Sequence, residues 1–246
     1  LKVKKARSTL SGMLDVENLF DLSTFVHKAL FDGCRYPWEA LNQLESYLKN
    51  LKLGKIESPV PQGVTLIHPE LISIGPGTVL EAGAYIVGPC VIGARCAVRH
   101  GAYIRGNALI GDGSVVGHVT EVKSSILIQA QAAHFAYLGD TILGSGVNLG
   151  AGVKCANLRL DHQAIVLHVG KEKIETGRRK FGSVIGDGSQ IGCNTVLNPG
   201  TVLGKGCYVY PGQTVGGVIP SRHSVRPKID TVISPIPVSL SHATEH

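Results

Sequence analysis

Thr78-Val-Leu80-Glu-Ala-Gly-Ala84-Tyr-Ile86-Val-Gly-Pro-Cys90-Val-Ile92-Gly-Ala-Arg-Cys96-Ala-Val98 obeys one rule every six residues: a small side chain, then an aliphatic one two places on. The aliphatic position runs through nine hexads without a miss: Ile74, Leu80, Ile86, Ile92, Val98, Ile104, Ile110, Val116 and Val122. Small residues precede eight of them, at Thr78, Ala84, Cys90, Cys96, Ala102, Ala108, Ser114 and Thr120. A period of six fits neither the 3.6 of a helix nor the two of a plain strand. It describes a coil that turns a corner every six residues, with three corners closing a triangular turn and the turns stacking into a parallel β-helix. The aliphatic side chains then point into the prism, each stabilising it by roughly 1.5–3 kcal/mol. Most of that gain is offset by the entropy of ordering the coil. The small residues fit corners where larger ones would clash. The rule resumes at Ile185, Ile191, Leu197, Leu203, Val209 and Val215, with Gln213 alone breaking the small position.

Outside the repeats the chain changes character. Residues 1–13 read as upstream residues, because Met13 is the only methionine. Residues 14–55 read as a helical segment. Leu19, Phe20, Leu22, Phe25, Val26 and Leu30 keep helical spacing, and Pro37-Trp38-Glu39 opens a second helix with Leu41, Leu44, Leu48 and Leu51 as its buried stripe. A linker with Pro59 and Pro61 leads to a β-helix expected over residues 64–219. A non-periodic excursion, residues 157–181, interrupts it, and residues 220–246 read as an extended tail.

Composition narrows the classes. Thirty-one glycines with 5% aromatics suit a glycine-cornered coil. There is no run of 18 apolar residues and no signal peptide, so no membrane association is expected. Cys90, Cys96 and Cys207 fall in the small slots of the repeat, as apolar fillers, which favours a reduced, cytoplasmic protein. The net charge of +6 comes without interleaved aromatic and basic residues, so a phosphorylated small molecule is a better partner than nucleic acid. A solenoid has open ends and long strand edges, so association is expected. His100, His118 and His134 invite a metal, but no two histidines lie five apart, the spacing of β-helix zinc enzymes resembling the gamma-class carbonic anhydrases. No metal site is expected.

The period shifts by one residue around Gln129–His134, before Leu138 and Leu143, and places His134 and Tyr137 at a dislocation of the stack. Arg105, Glu121-Val-Lys123, His134-Phe-Ala-Tyr137-Leu-Gly-Asp140, Asn148-Leu-Gly-Ala-Gly152 and Asn157 then follow at telling intervals. This series resembles the acetyltransferase half of the bifunctional N-acetylglucosamine-1-phosphate uridyltransferases. Ala156-Asn-Leu-Arg159 and Gly177-Arg-Arg-Lys180 are similar to the archaeal sugar-1-phosphate nucleotidylyltransferase/acetyltransferases.

The resemblance implies a left-handed β-helix working as a homotrimer. It implies transfer of acetyl from acetyl-coenzyme A, as co-substrate and without a metal, to the amine of glucosamine 1-phosphate, feeding UDP-N-acetylglucosamine synthesis. His134 would be the general base. Arg105, Lys123 and Lys180 would hold the sugar phosphate, with Tyr137, Asn148 and Asn157 orienting the sugar. Ala151, Cys193 and Pro211 would line the coenzyme A channel, and Arg222 or Arg226 would meet its phosphates.

Three positions depart from that pattern: Leu158 stands where the family has tyrosine, Cys193 where it has serine, and Pro211 where it has alanine. The long excursion points to a different amine preference, for example galactosamine 1-phosphate. Only some fifty residues precede the prism, so no uridyl transfer by this chain is expected. Two alternatives stay open. One is acyl transfer to another amino sugar. The other is a non-catalytic trimeric sugar-phosphate-binding scaffold whose N-terminal helices recruit a separate nucleotidyltransferase.

Overall fold

A computed structural model describes residues 10–228. Most of the upstream residues, 1–9, and most of the expected tail, 229–246, lie outside the described residues. The fold is a left-handed parallel β-helix built from three eight-stranded parallel sheets, one on each face of a triangular prism. Tyr85–Val87, Tyr103–Ile104, Glu121–Lys123 and Tyr137–Gly139 lie on the first face, Cys90–Ile92 and Ala108–Ile110 on the second, and Val115–His118 and Gln131–His134 on the third. All nine aliphatic positions of the long run are buried at 3% exposure or less, and the small residues before them are equally enclosed.

The corner hydroxyls explain why small and polar is tolerated there. Thr78 Oγ1 donates to Gly93 O at 2.7 Å and accepts the Cys96 N–H at 3.0 Å, so each hydroxyl stitches neighbouring coils. Cysteine takes the same slot. All six cysteines are free thiols, and burial pushes Cys90 and Cys155 up to about 12.

The coil reaches further than the sequence suggests at both ends. Ile56, in the expected linker, bridges to Ile74. Ser224–Val225 pairs with Tyr208–Val209 beyond the expected stop at 219, completing the third face. Register also slips more often than the single shift inferred from sequence. Val122 to Leu127, Leu127 to Ala132 and Leu138 to Leu143 are each five-residue steps between inward positions. The middle slip is hidden because Ala130, Ala132 and Ala136 are all small, so inward and corner positions look alike.

The second face is covered. Its outward column Val91, Leu109, Ile126, Ile142, Val184 and Val202 joins a second apolar core with Leu19, Phe20, Leu30, Trp38, Leu44 and Leu48. The helix Pro37–Asn50 forms as expected: proline occupies its first turn, and the Glu39 carboxylate accepts the Tyr36 and Arg35 N–H groups at 3.1 and 2.7 Å. The first expected helix does not form as one piece. Only Val16–Leu19 is α-helical, followed by a 3₁₀ turn at Lys28–Phe31. Asp21 caps the Ser23 N–H at 2.9 Å, a local bond that competes with helix. Asp187 of the prism then takes the Asp21 N–H at 2.7 Å and ties the segment down.

The excursion carries structure too. Val166–Val169 and Glu172–Glu175 make an antiparallel hairpin around Gly170-Lys171, with Gly170 at φ 60°. Its Leu167 and Val169, followed by Phe181, bury into the same second core. Phe181 meets Trp38 at 5.7 Å between ring centroids.

Candidate functional site

Val115–His118 and Gln131–His134 are four-residue strands, longer than most in the prism, and they pair His134 with His118. The long strands depend on glycine at the junction. A Cβ on Gly117 would sit 1.7 Å from the Ala133 carbonyl oxygen, inside any permissible contact. Gly117→Ala is therefore expected to lower stability by about 1–3 kcal/mol through overpacking, read as a drop in thermal midpoint, and to displace the His134 corner. An unchanged midpoint would show that the coils can part there at little cost.

That corner, between the third and first faces, carries a vertical column. Backbone N–H groups one residue further along donate to His100, His118, His134, Ala151 and Cys193 in turn, and Gly212, which bonds Cys193 O, brings Pro211 into line. His134 and the three residues expected beside coenzyme A thus share one edge of the prism. The His134 ring is exposed. His100 and His118 stack at 5.7 Å, and each Nδ1 faces a backbone carbonyl, Ala82 O at 2.6 Å and His100 O at 3.0 Å. Among the described residues no group of three potential ligands could hold a metal ion. Below His134 an open cleft of about 530 Å³ is lined by Asn148, Gln190, Cys193, Tyr208, Tyr210 and Pro211. Arg226 follows the last strand of this third face, because the Tyr210 N–H bonds Val225 O, and it is exposed.

The first face turns away from the same corner and holds the polar cluster. Arg105 Nη1 donates to Glu121 Oε1 at 2.6 Å, a bond that raises the guanidinium's pKa, and its carbon lies 5.7 Å from the Tyr103 ring centre. Burial, then the nearby Glu121 and Asp140 carboxylates, raises the Tyr137 phenol. Tyr137 Oη donates to Asn157 Oδ1 at 3.4 Å. Asn157 Nδ2 in turn donates to Asp140 Oδ2 at 2.6 Å. Gly139 makes this convergence possible, since a Cβ there would fall 2.6 Å from both Asn157 Nδ2 and Tyr137 Oη.

Asp140 is the hub, and sequence reading assigned it no role. Its carboxylate is 6% exposed and pairs with Lys123 Nζ at 3.3 Å and Arg178 Nη2 at 3.2 Å. A buried carboxylate held by two cations is fully compensated, and the three groups together carry one net positive charge. Burial pulls the Arg178 pKa down, against the attraction of Asp140. Lys180 is exposed two residues on, its backbone bridged to Leu158. Arg105, Lys123, Tyr137 and Asn157 are thus gathered on one face, with Lys180 at its margin. Asn148 is not with them within this chain; it lies on the third face beside Gln131 and Gln190.

Residues 72–106 and 182–217 match the family described as bacterial transferase hexapeptide (six repeats). The chain is 38% identical over 96 residues to a bifunctional sugar-1-phosphate nucleotidylyltransferase/acetyltransferase of Sulfurisphaera tokodaii, a match spanning 39% of this chain and 24% of that protein. It is 31% identical over 114 residues to the bifunctional protein GlmU of Methanococcus aeolicus, spanning 46% and 28% respectively. A GlmU of Koribacter versatilis aligns over 218 residues at 27% identity, 72% of this chain and 43% of the relative. The chain spans less than half the length of each of these relatives.

Proposed function

We propose that this hexapeptide-repeat β-helix is an acetyl-coenzyme A-dependent N-acetyltransferase acting on an amino-sugar 1-phosphate, glucosamine 1-phosphate foremost. The observation that carries the reading is the single corner that joins His134 to two surfaces. Ala151, Cys193 and Pro211 continue the column beside a cleft, while Tyr137, Asn157, Lys123 and Arg105 occupy the adjoining face. An acyl-transfer centre needs this: a base between a donor channel and an anionic acceptor site.

The chemistry follows from those positions. The amine must lose a proton before its lone pair can attack the thioester carbonyl, and the exposed imidazole of His134 accepts it. The nitrogen–carbon bond forms and the carbon–sulfur bond breaks. The coenzyme A thiolate leaves and takes up a proton, supplied by the same imidazolium. A positioned base of this kind contributes about 10²–10⁴ in rate. Lys123 and Lys180 bind the phosphate as cations, and Arg105 adds a planar guanidinium suited to two phosphate oxygens. Tyr137 and Asn157 orient the sugar hydroxyls. The cleft takes the pantetheine arm past Cys193 and Pro211, and the exposed Arg226 meets the coenzyme phosphates.

Copies of the chain complete the site. The second face is already covered, whereas Tyr85, Tyr103, Val119, Phe135, Tyr208 and Tyr210 are all 40% exposed or more on the other two faces and the corner between them. Association through those faces, as a trimer, would bring Asn148 of one copy against the first face of the next.

Incubation with acetyl-coenzyme A and glucosamine 1-phosphate should release free thiol in proportion to enzyme. Galactosamine 1-phosphate and nucleotide-linked amino sugars in parallel would rank the acceptors. No thiol release with any of these amines would remove the catalytic reading and leave a binding scaffold.

A further inference from the structure

We propose that Arg178 is the positioning residue of the acceptor site, a single guanidinium that ties the covering helix, the excursion and the first face together so that Lys123, Asn157 and Lys180 stand ready for the sugar phosphate. The inference rests on the acyl-transfer reading above and adds a residue that touches no substrate. Arg178 directs its side-chain nitrogens in three directions. Nη2 pairs with buried Asp140 at 3.2 Å, Nε donates to the Lys180 carbonyl at 3.0 Å, and Nη1 donates to Asn42 Oδ1 on the helix Pro37–Asn50. Its own backbone is fixed as well, by Thr176 Oγ1 at 3.2 Å and by the Ile165 N–H at 2.8 Å. The side chain is only 14% exposed.

Charge explains why this matters for an anion. Asp140 faces two cations, Lys123 and Arg178, so the cluster keeps one positive charge in excess and Lys123 can be shared with a phosphate. Without Arg178 the carboxylate and Lys123 form a neutral pair at 3.3 Å, and the ammonium is withdrawn from the acceptor. Asn157 hydrogen-bonds the same carboxylate oxygen that Lys123 does, so it moves with the pair. Lys180 loses its carbonyl anchor at the same time. A planar, three-way donor does this; a lysine ammonium cannot reach all three partners in fixed directions.

The test is steady-state kinetics of the full chain with glucosamine 1-phosphate and acetyl-coenzyme A, alongside calorimetric binding of glucosamine 1-phosphate. Arg178→Ala is expected to raise the acceptor KM by about tenfold to a hundredfold, the scale of lost hydrogen bonds to charged groups. The KM for acetyl-coenzyme A should stay unchanged and kcat should fall much less. Arg178→Lys should be intermediate, and Asn42→Ala, which removes only the helix contact, should show a smaller rise in acceptor KM. Added guanidinium ion should restore the acceptor KM of Arg178→Ala. Arg179→Ala, whose Nε reaches only His162 O, should behave as wild type. Wild-type turnover with an unaltered acceptor KM in Arg178→Ala and Asn42→Ala would overturn this inference alone. So would equal losses toward both substrates that guanidinium does not rescue. Wild-type protein that neither turns over nor binds any amino-sugar phosphate would remove the acceptor site and this inference together.

Discussion

His134→Ala is expected to lower kcat by about 10²–10⁴, the worth of a positioned general base, with coenzyme A binding and thermal midpoint unchanged. The ring is exposed, so its loss empties no core. The backbone of the corner is held independently: Gly152 N–H bonds His134 O at 3.1 Å, and Ala132 and Ala136 on either side are buried. A fall in kcat without a change in midpoint separates chemistry from folding. His118→Ala is the informative companion, because His118 sits one coil away in the same column and stacks on His100. It should leave kcat within a few-fold of wild type. Equal losses at His118 and His134 would mean that the corner acts through its shape and not through the His134 imidazole.

Phe181→Ala is expected to destabilise the covering layer by about 3–5 kcal/mol. Phe181 is fully buried, packs on Trp38 and lies between Lys180 and Gly182 at the point where the excursion rejoins the prism. Trp38 is the only tryptophan and is 1% exposed, so its emission reports this layer directly. In urea the fluorescence midpoint of Phe181→Ala should fall well below wild type, ahead of the far-ultraviolet circular dichroism transition of the coils. Such a split is what a solenoid, held by nearest-neighbour contacts, predicts for a layer lying on one face. The acceptor KM should rise too, since Lys180 and Arg178 ride on the displaced segment. Coincident transitions shifted together would show the layer and the prism to be one cooperative unit.

The prism was legible because every inward position from Ile74 to Val122 is aliphatic and nothing else has a period of six. The covered face left a readable trace that the hexad rule passes over. Val91-Ile92, Leu109-Ile110, Ile126-Leu127, Ile142-Leu143, Val184-Ile185 and Val202-Leu203 pair an outward with an inward aliphatic in six successive coils of the second face, whereas the other two faces do so only in scattered coils, as at Val79-Leu80, Val115-Val116 and Val196-Leu197. A strand apolar on both sides is buried on both sides, and that points to a covering layer. The hairpin Val166–Glu175 was also present in its alternation about Gly170-Lys171, but each arm is only four residues long. The slip at Ala132 was obscured because alanine serves equally as corner and as core. The Asp140 hub could not be read locally. Its partners come from 17 residues before it, 17 after and 38 after, and only the stacking of coils brings them to one carboxylate.

The acyl-donor side is where the central claim is most exposed, because it assigns direction as well as place. A crystal structure with coenzyme A bound tests it directly. The sulfur is expected at the His134 corner, with the pantetheine running past Ala151 and Cys193 and the phosphates beyond Pro211 toward Arg226. Coenzyme A lying on the second face, or with its sulfur remote from the His134 ring, would contradict the account.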